Sequence, residues 1–309
     1  SLLETPYSMK SIIHLKAISD LNNFVQIKTL HPLVAVVDFS KVDEYIEDGT
    51  RISADFYTIM FKNYCANHLR YGRQSYDFQD GSLMCIGPRQ VLAMDGEIEK
   101  KDEMMGWGLF FHPDLLRGTS LGSRMSAYTF FGYETAEALH LSDKEKLILF
   151  DCVQKIESEL QENIDPHRQT LIVSNIELLL NYCSRYYGRQ FITRRHSNST
   201  TVSQVEQLLK HYFNADKLQE TGLPTVKYLA EHVHLSASYL SDLLKKETGM
   251  NAQEHIHYYL IEEAKSILLN TDQSVGEIAY ALGFEYPQYF SKLFKQKTGQ
   301  TPIEYRSLN

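Results

Sequence analysis

One pattern occurs twice in this chain of 309 residues, and an internal repeat constrains architecture more than any local propensity does. The clearer copy, SVGEIAYALGFEYPQYFSKLFKQKTGQTPIEYR, covers residues 274–306; the paler one, TVKYLAEHVHLSASYLSDLLKKETG, covers 225–249. Val226, Leu229, Ala230, Val233 and Leu235 match Val275, Ile278, Ala279, Leu282 and Phe284 at an offset of 49. Tyr239, Leu240, Leu243, Leu244, Lys245, Thr248 and Gly249 match Tyr289, Phe290, Leu293, Phe294, Lys295, Thr298 and Gly299 at an offset of 50. The second copy therefore carries one extra residue at its middle turn. Two copies are too few for a solenoid.

Each copy reads as a short helix, a tight turn, and a second helix beginning three or four residues later, anchored by an aromatic and an aliphatic residue. That is the helix-turn-helix layout. Small Ala230 and Ala279 let the two helices approach, and Gly283 suits a turn position with positive φ. The first copy has His234 there, which carries some strain. Asn251 with Glu254, Ser274 with Glu277, and Thr301 with Glu304 have capping-box spacing, Pro302 suits a first helical turn, and Gly249 and Gly299 suit helix ends. Between the copies, apolar Ile256, Leu260, Ile261, Ala264, Ile267 and Leu268 mark one helix of about 20 residues, roughly 30 Å long. One turn of DNA is about 34 Å, so such a spacer would hold two recognition helices near successive major grooves.

The outward residues near the start of each second helix are the candidate DNA-binding residues: Ala237, Ser238, Ser241, Asp242 and Lys245 in the first copy, and Tyr286, Pro287, Gln288, Ser291, Lys292 and Lys295 in the second. Gln288 suits adenine and Lys292 guanine, whereas Asp242 can only accept, from a cytosine amine, or else caps or orients a neighbour. The net charge of −8 counts mildly against nucleic acid, as do ten Lys and Arg against thirteen Asp and Glu in 201–309. Phosphate contacts act locally, however, within a Debye length of about 10 Å. Lys245, Lys246, Lys292, Lys295 and Lys297 all fall in the second halves of the copies.

The rest of the chain is organised differently. Residues 9 to about 140 alternate short apolar runs (PLVAVVDF, DFYTIMFKNY, SLMCIG, GWGLFFH) with turn residues, which predicts strands in a sandwich or barrel. We expect a small β-barrel, cupin-like, over 9–140. Residues 142–188 switch to helical spacing. Ser142 and Glu145 open one helix with Leu149, Val153, Ile156 and Leu160 on one face; a second follows Pro166 with Leu171, Ile172, Ile176, Leu179, Leu180 and Cys183 inward. This pair packs on the barrel or on a twin from another subunit. RRHSNSTT has linker composition. The expected fold is therefore α+β multidomain: an effector-binding and dimerisation domain at 9–194, a linker at 195–202, and an all-α domain at 203–309.

VGEIAYALGFEYPQYFSKLFKQKTGQTPIEYR resembles the second helix-turn-helix of AraC-type (AraC/XylS) transcription regulators, with I-A, G-F, Y-F-S, F-K, G-x-T-P and Y-R in place, and the resemblance extends over about residues 203–308. Before the linker it is one of arrangement only. The resemblance implies sequence-specific binding of double-stranded DNA that recruits or repositions RNA polymerase, usually as an activator and sometimes under a small ligand, in a homodimer joined through residues 142–188. Leu260 stands where the family usually has arginine, which puts a helix-anchoring contact in question. Asp242 stands where a basic residue is common.

Rival readings are a helical protein-interaction module and a barrel enzyme. The i, i+2 pairs His232/His234 and His255/His257 point to different helix faces, and His14, His31, His68, His112 and His140 are scattered, so no metal or other cofactor is expected. There is no Gly-rich phosphate loop and no evident Ser, His and Asp set, and the expectation is a protein that is not an enzyme. Phe56, Tyr57, Phe61, Tyr64, Trp107, Phe110 and Phe111 line either a ligand pocket or simply a core; Tyr71, Arg73 and Tyr76 fit sugar contacts, and the effector is a sugar, another metabolite or nothing at all. Cys65, Cys85, Cys152 and Cys183 lie far apart and read as buried thiols. With no run of about 18 apolar residues and no leader pattern, a cytoplasmic location without membrane contact is expected.

Overall fold

A computed structural model describes residues 12–42, 50–62, 81–94, 106–162, 165–214 and 218–308. The chain divides into two compact units, Ser1–Gln190 and Phe191–Asn309.

In the first unit β1 (Ile13–Leu15), α1 (Ile18–Phe24), β2 (Val34–Asp38), β3 (Thr50–Ala54), β4 (Tyr57–Lys62), β5 (Ser82–Ile86), β6 (Val91–Met94) and β7 (Gly106–Phe111) follow one another. Short helical turns, α2 (Ser120–Arg124) among them, lead to β8 (Leu139–His140). Each of the four apolar runs singled out in the sequence contains a strand. They build two sheets: β1-β3-β6, with β1 parallel to β3, and the antiparallel β2-β7-β4-β5-β8. The expected barrel is thus corrected to a mixed α/β region. Among the described residues no ladder joins the two sheets into a closed ring. Strands of two to six residues instead lie around an apolar cluster, with Ile52 and Ala54 of the smaller sheet and Ala35, Val37, Met60 and Phe110 of the larger contributing to it. Ile59, Leu83 and Leu109, on the other face of the larger sheet, are buried as well. With both faces covered, these strands read as continuous apolar runs rather than as a clean alternation.

Phe56 and Phe110 meet edge to face within that cluster and Phe111 is buried, so the core reading holds for these three rings, while Tyr57 stacks on Phe111 half-buried. Tyr64, Tyr71, Arg73, Tyr76, His68 and Cys65 lie outside the described residues. Cys85, Cys152 and Cys183 are free and buried, and burial pushes the Cys85 and Cys152 thiols up. Among the described residues no three His, Cys, Asp or Glu side chains are grouped to hold a metal, and no helix is long and apolar enough to cross a membrane.

The helix pair is α3 (Asp143–Gln161) and α4 (Arg168–Thr193). Ser142 caps α3 reciprocally with Glu145, and Leu149, Val153, Ile156 and Leu160 are buried. On α4 the inward face is Ile172, Ile176, Leu179, Leu180 and Cys183. Leu171 departs from expectation at 44% exposure: it sits one residue off that stripe and shares the outer face with Leu178, seven residues on.

The presumed linker is corrected too. Residues 195–202 begin α5 (Arg195–Asn214). Its Ser, Thr and Asn side chains bond backbone carbonyls of α5 or of the residues just before it: Ser197 Oγ donates to the Arg194 carbonyl, Thr201 Oγ1 to that of Ser197, and Asn198 Nδ2 to that of Phe191 at the end of α4. Residues that favour turns when solvated are thereby accommodated in a helix.

The second unit continues with α6 (Leu218–Thr221), α7 (Val226–Val233), α8 (Ala237–Thr248), α9 (Ala252–Asn270), α10 (Val275–Ala281), α11 (Pro287–Thr298) and α12 (Pro302–Leu308). One core joins them, and the buried stripe of α9, Ile256, Leu260, Ile261, Ala264 and Leu268, runs through it. Leu260 is fully buried there, so an apolar contact stands where the family resemblance implied arginine. Truncation to Ala should cost about 2–5 kcal/mol in denaturant unfolding of the full chain; a loss below about 1 kcal/mol would show that this stripe does not hold the unit together.

All three expected boxes form here. Asn251, Ser274 and Thr301 each exchange hydrogen bonds with the glutamate three residues on. The hydroxyl and amide of Ser274 hold the Glu277 carboxyl below the usual range, and the Thr301 amide and hydroxyl do the same for Glu304. A carboxyl depressed on folding stabilises fully above its unfolded pKa, and that contribution is lost as pH falls through the folded value. NMR titration should find both glutamates below ordinary values, and Ser274→Ala should raise that of Glu277 alone.

Candidate nucleic-acid interface

The two copies fold as two helix-turn-helix units, α7 with α8 and α10 with α11. In each, the first helix buries an aliphatic residue and the small residue after it, Leu229 and Ala230 or Ile278 and Ala279. The second helix buries Leu240 and Leu244, or Phe290 and Phe294. The chain leaves the first helix in the same way in both. The Leu235 amide donates back to the Ala230 carbonyl at 3.0 Å, and the Phe284 amide to that of Ala279 at 2.9 Å. This 6→1 bond needs a left-handed residue just before its donor. His234 takes that position at φ 56°, ψ 45°, and Gly283 at φ 84°. A Cβ on Gly283 would also stand 3.0 Å from the Leu218 carbonyl oxygen, so glycine is required there twice over.

After the turn the copies diverge by the one inserted residue. Ser236 caps α8 by accepting from the Tyr239 amide, whereas α11 follows Tyr286 without a side-chain cap and begins with Pro287. Their last turns coincide again. Thr248 and Thr298 each donate to the carbonyl four residues back at 2.8 Å and accept from the amide two residues on at 3.2 Å, ahead of Gly249 and Gly299 at φ 82° and 81°.

Along α8, Ala237 and Lys245 are exposed and Ser238, Ser241 and Asp242 are half-buried. Ser241 has a structural partner, since its Oγ accepts from the Ala252 amide at the start of α9 at 3.3 Å. At the start of α11 and along it, Tyr286, Gln288, Lys292 and Lys295 are exposed, while Pro287 and Ser291 are half-buried. Each set therefore lies on its own second helix, and α9 packs against both units. Sequence reasoning missed Tyr289. It was paired with Tyr239 as an anchor, yet Tyr239 is 5% exposed and lies against Phe191, while Tyr289 is 61% exposed. The covering ring comes from outside the repeat, so matched letters gave no sign of the difference.

The electrostatics are unequal. Helix α11 has exposed Lys292, Lys295 and Lys297 and no carboxylate, whereas on α8 Asp242 and Glu247 offset Lys245 and Lys246. The α9 histidines do not redress this. Burial lowers the pKa of His255 against the opposing pull of Glu206 and Glu254, and its Nε2 lies 2.8 Å from Thr248 Oγ1. Burial and then Lys297 lower that of His257.

Comparison with known proteins locates a helix-turn-helix domain at residues 229–307. The HTH-type transcriptional regulator YijO of Escherichia coli (strain K12) is 28% identical over 143 residues, covering 46% of this chain and 48% of YijO. The matched segment is a helix-turn-helix domain of the AraC type. A second relative, the HTH-type transcriptional regulator YisR of Bacillus subtilis (strain 168), is 38% identical over 84 residues, 27% of this chain and 29% of that protein. Among solved structures, the C-terminal domain of the two-component response regulator yesN from Fusobacterium nucleatum is 33% identical, with 32% of this chain and 95% of that one covered at a TM-score of 0.28. The match spans about half the length, or less, of these two curated relatives.

The turns of this AraC-type unit predict opposite responses. Gly283→Ala should destabilise by more than about 1 kcal/mol, since the φ forbids a Cβ without strain, while His234→Gly should leave stability within about 0.5 kcal/mol or raise it. Equal losses in thermal unfolding would contradict the assigned turn geometry.

Proposed function

We propose that this protein is a sequence-specific DNA-binding transcription regulator that sets α8 and α11 into successive major grooves of one duplex. The observation that carries this reading is the pair of matched helix-turn-helix units on one core, with lysines exposed at corresponding positions, Lys245 and Lys295. The candidate readers are Ala237, Ser238, Ser241, Asp242 and Lys245 in the first unit and Tyr286, Pro287, Gln288, Ser291, Lys292 and Lys295 in the second. In this reading Ser241 contributes less, because its hydroxyl is already engaged by the α9 amide.

The remaining roles follow from the family. The protein acts as an activator in the cytoplasm with RNA polymerase as its partner. The region built on the two sheets takes a small effector. The helix pair joins two copies; exposed Leu147 and Phe150 on α3 support this last role, as do Leu171 and Leu178 on α4.

Selection of bound duplexes from a random pool by the full chain should recover a defined site. On that site Gln288→Ala and Lys292→Ala should each cost about 1–3 kcal/mol and relax preference at the base they read. Unchanged affinity and preference in both variants would overturn the placement of α11.

A further inference from the structure

The leading turn of α11 carries two aromatic rings that the fold leaves uncovered. Tyr286, at the N-cap, is 47% exposed and Tyr289 is 61% exposed. Their ring centroids are 5.8 Å apart with an interplanar angle of 84°, an edge-to-face pair that fixes each ring against the other. Gln288 is exposed next to Tyr289, and Lys292 follows one turn later on the same side of the helix. The first unit has no such pair: its leading turn offers Ala237 and Ser238, and its aromatic residue, Tyr239, is buried against Phe191.

An exposed aromatic pair is costly to keep in water unless a partner covers it. Lysines 292, 295 and 297, with no carboxylate on the helix, suit a polyanion as that partner. In the major groove the apolar group offered to a side chain is the C5-methyl of thymine, and aromatic residues are among those that contact it. We infer that Tyr289, held by Tyr286, is a specificity-determining residue of the second unit whose ring packs on a thymine methyl group. The inference rests on the proposed placement of α11 in the major groove. It makes the two halves of the operator chemically different, with methyl readout confined to the box bound by α11.

The test uses the full chain and its selected duplex, with each thymine of the second box replaced singly by uracil, which lacks only the methyl. Anisotropy titrations should show about fourfold weaker binding at one or two positions, the expectation for uncovering one methyl-sized group. Tyr289→Ala should bind thymine and uracil duplexes equally at those positions, and Tyr289→Phe should keep the native discrimination. Circular dichroism of the variants should match the native chain because the ring is exposed. Persistence of the uracil penalty in Tyr289→Ala, its absence in the native chain, or a second box without thymine would overturn the inference. So would a Tyr289→Phe variant that loses affinity without a uracil penalty, which would assign the hydroxyl to a phosphate instead. Failure to bind the unsubstituted duplex even at low salt would show as a separate result and would remove the DNA reading itself, leaving the aromatic pair to a protein partner.

Discussion

The C-terminal unit depends on one buried stripe. Ile256, Leu260, Ile261, Ala264 and Leu268 lie along α9, and the core they enter includes Leu229 and Leu244 from the first helix-turn-helix and Ile278 and Phe294 from the second. Neither unit has enough apolar surface to stand alone, since each is two short helices with a few buried side chains. Packing both on α9, a helix about 28 Å long, joins their stability. In the proposed complex this length would hold the two units near one turn of DNA apart.

Within that frame the two units are not equivalent. The same backbone exit is made by glycine in one and by histidine in the other, and the same aromatic position is exposed in one and buried in the other. Charge follows suit, with three lysines and no carboxylate on α11 and balanced signs on α8. Counterion release scales with the phosphates neutralised, so the second unit supplies most of the salt-dependent attraction in the proposed complex. The first unit then contributes mainly through hydrogen-bonding groups close to the bases.

Local signals in the sequence translated faithfully. Capping boxes at Ser142, Asn251, Ser274 and Thr301, the glycine ends at 249 and 299, and the left-handed His234 all involve partners within five residues, so spacing alone identifies them. Long-range features were not legible. Whether short strands close a ring depends on pairings between segments tens of residues apart, and the alternation within one strand says nothing of its edges. Residues 195–202 look like a linker by composition, yet their side chains satisfy helix carbonyls and Asn198 also bonds Glu247 on α8. Leu171 and Tyr289 failed for a common reason: apolar letters at a plausible period reach the core only if a neighbour covers them, as Phe191 covers Tyr239, whereas Tyr289 stays 61% exposed.

In the proposed complex α9 holds the two recognition helices at a fixed separation on one face of a duplex. The most direct measurement is affinity as a function of the spacing between the two boxes of the selected site. Inserting about 5 base pairs, half a helical turn, should rotate one box to the far face and reduce binding to that of a single box, and a full turn in place of the half should not restore native affinity. Affinity that tolerates the half-turn insertion would contradict a rigid spacer and would mean that only one unit reads DNA.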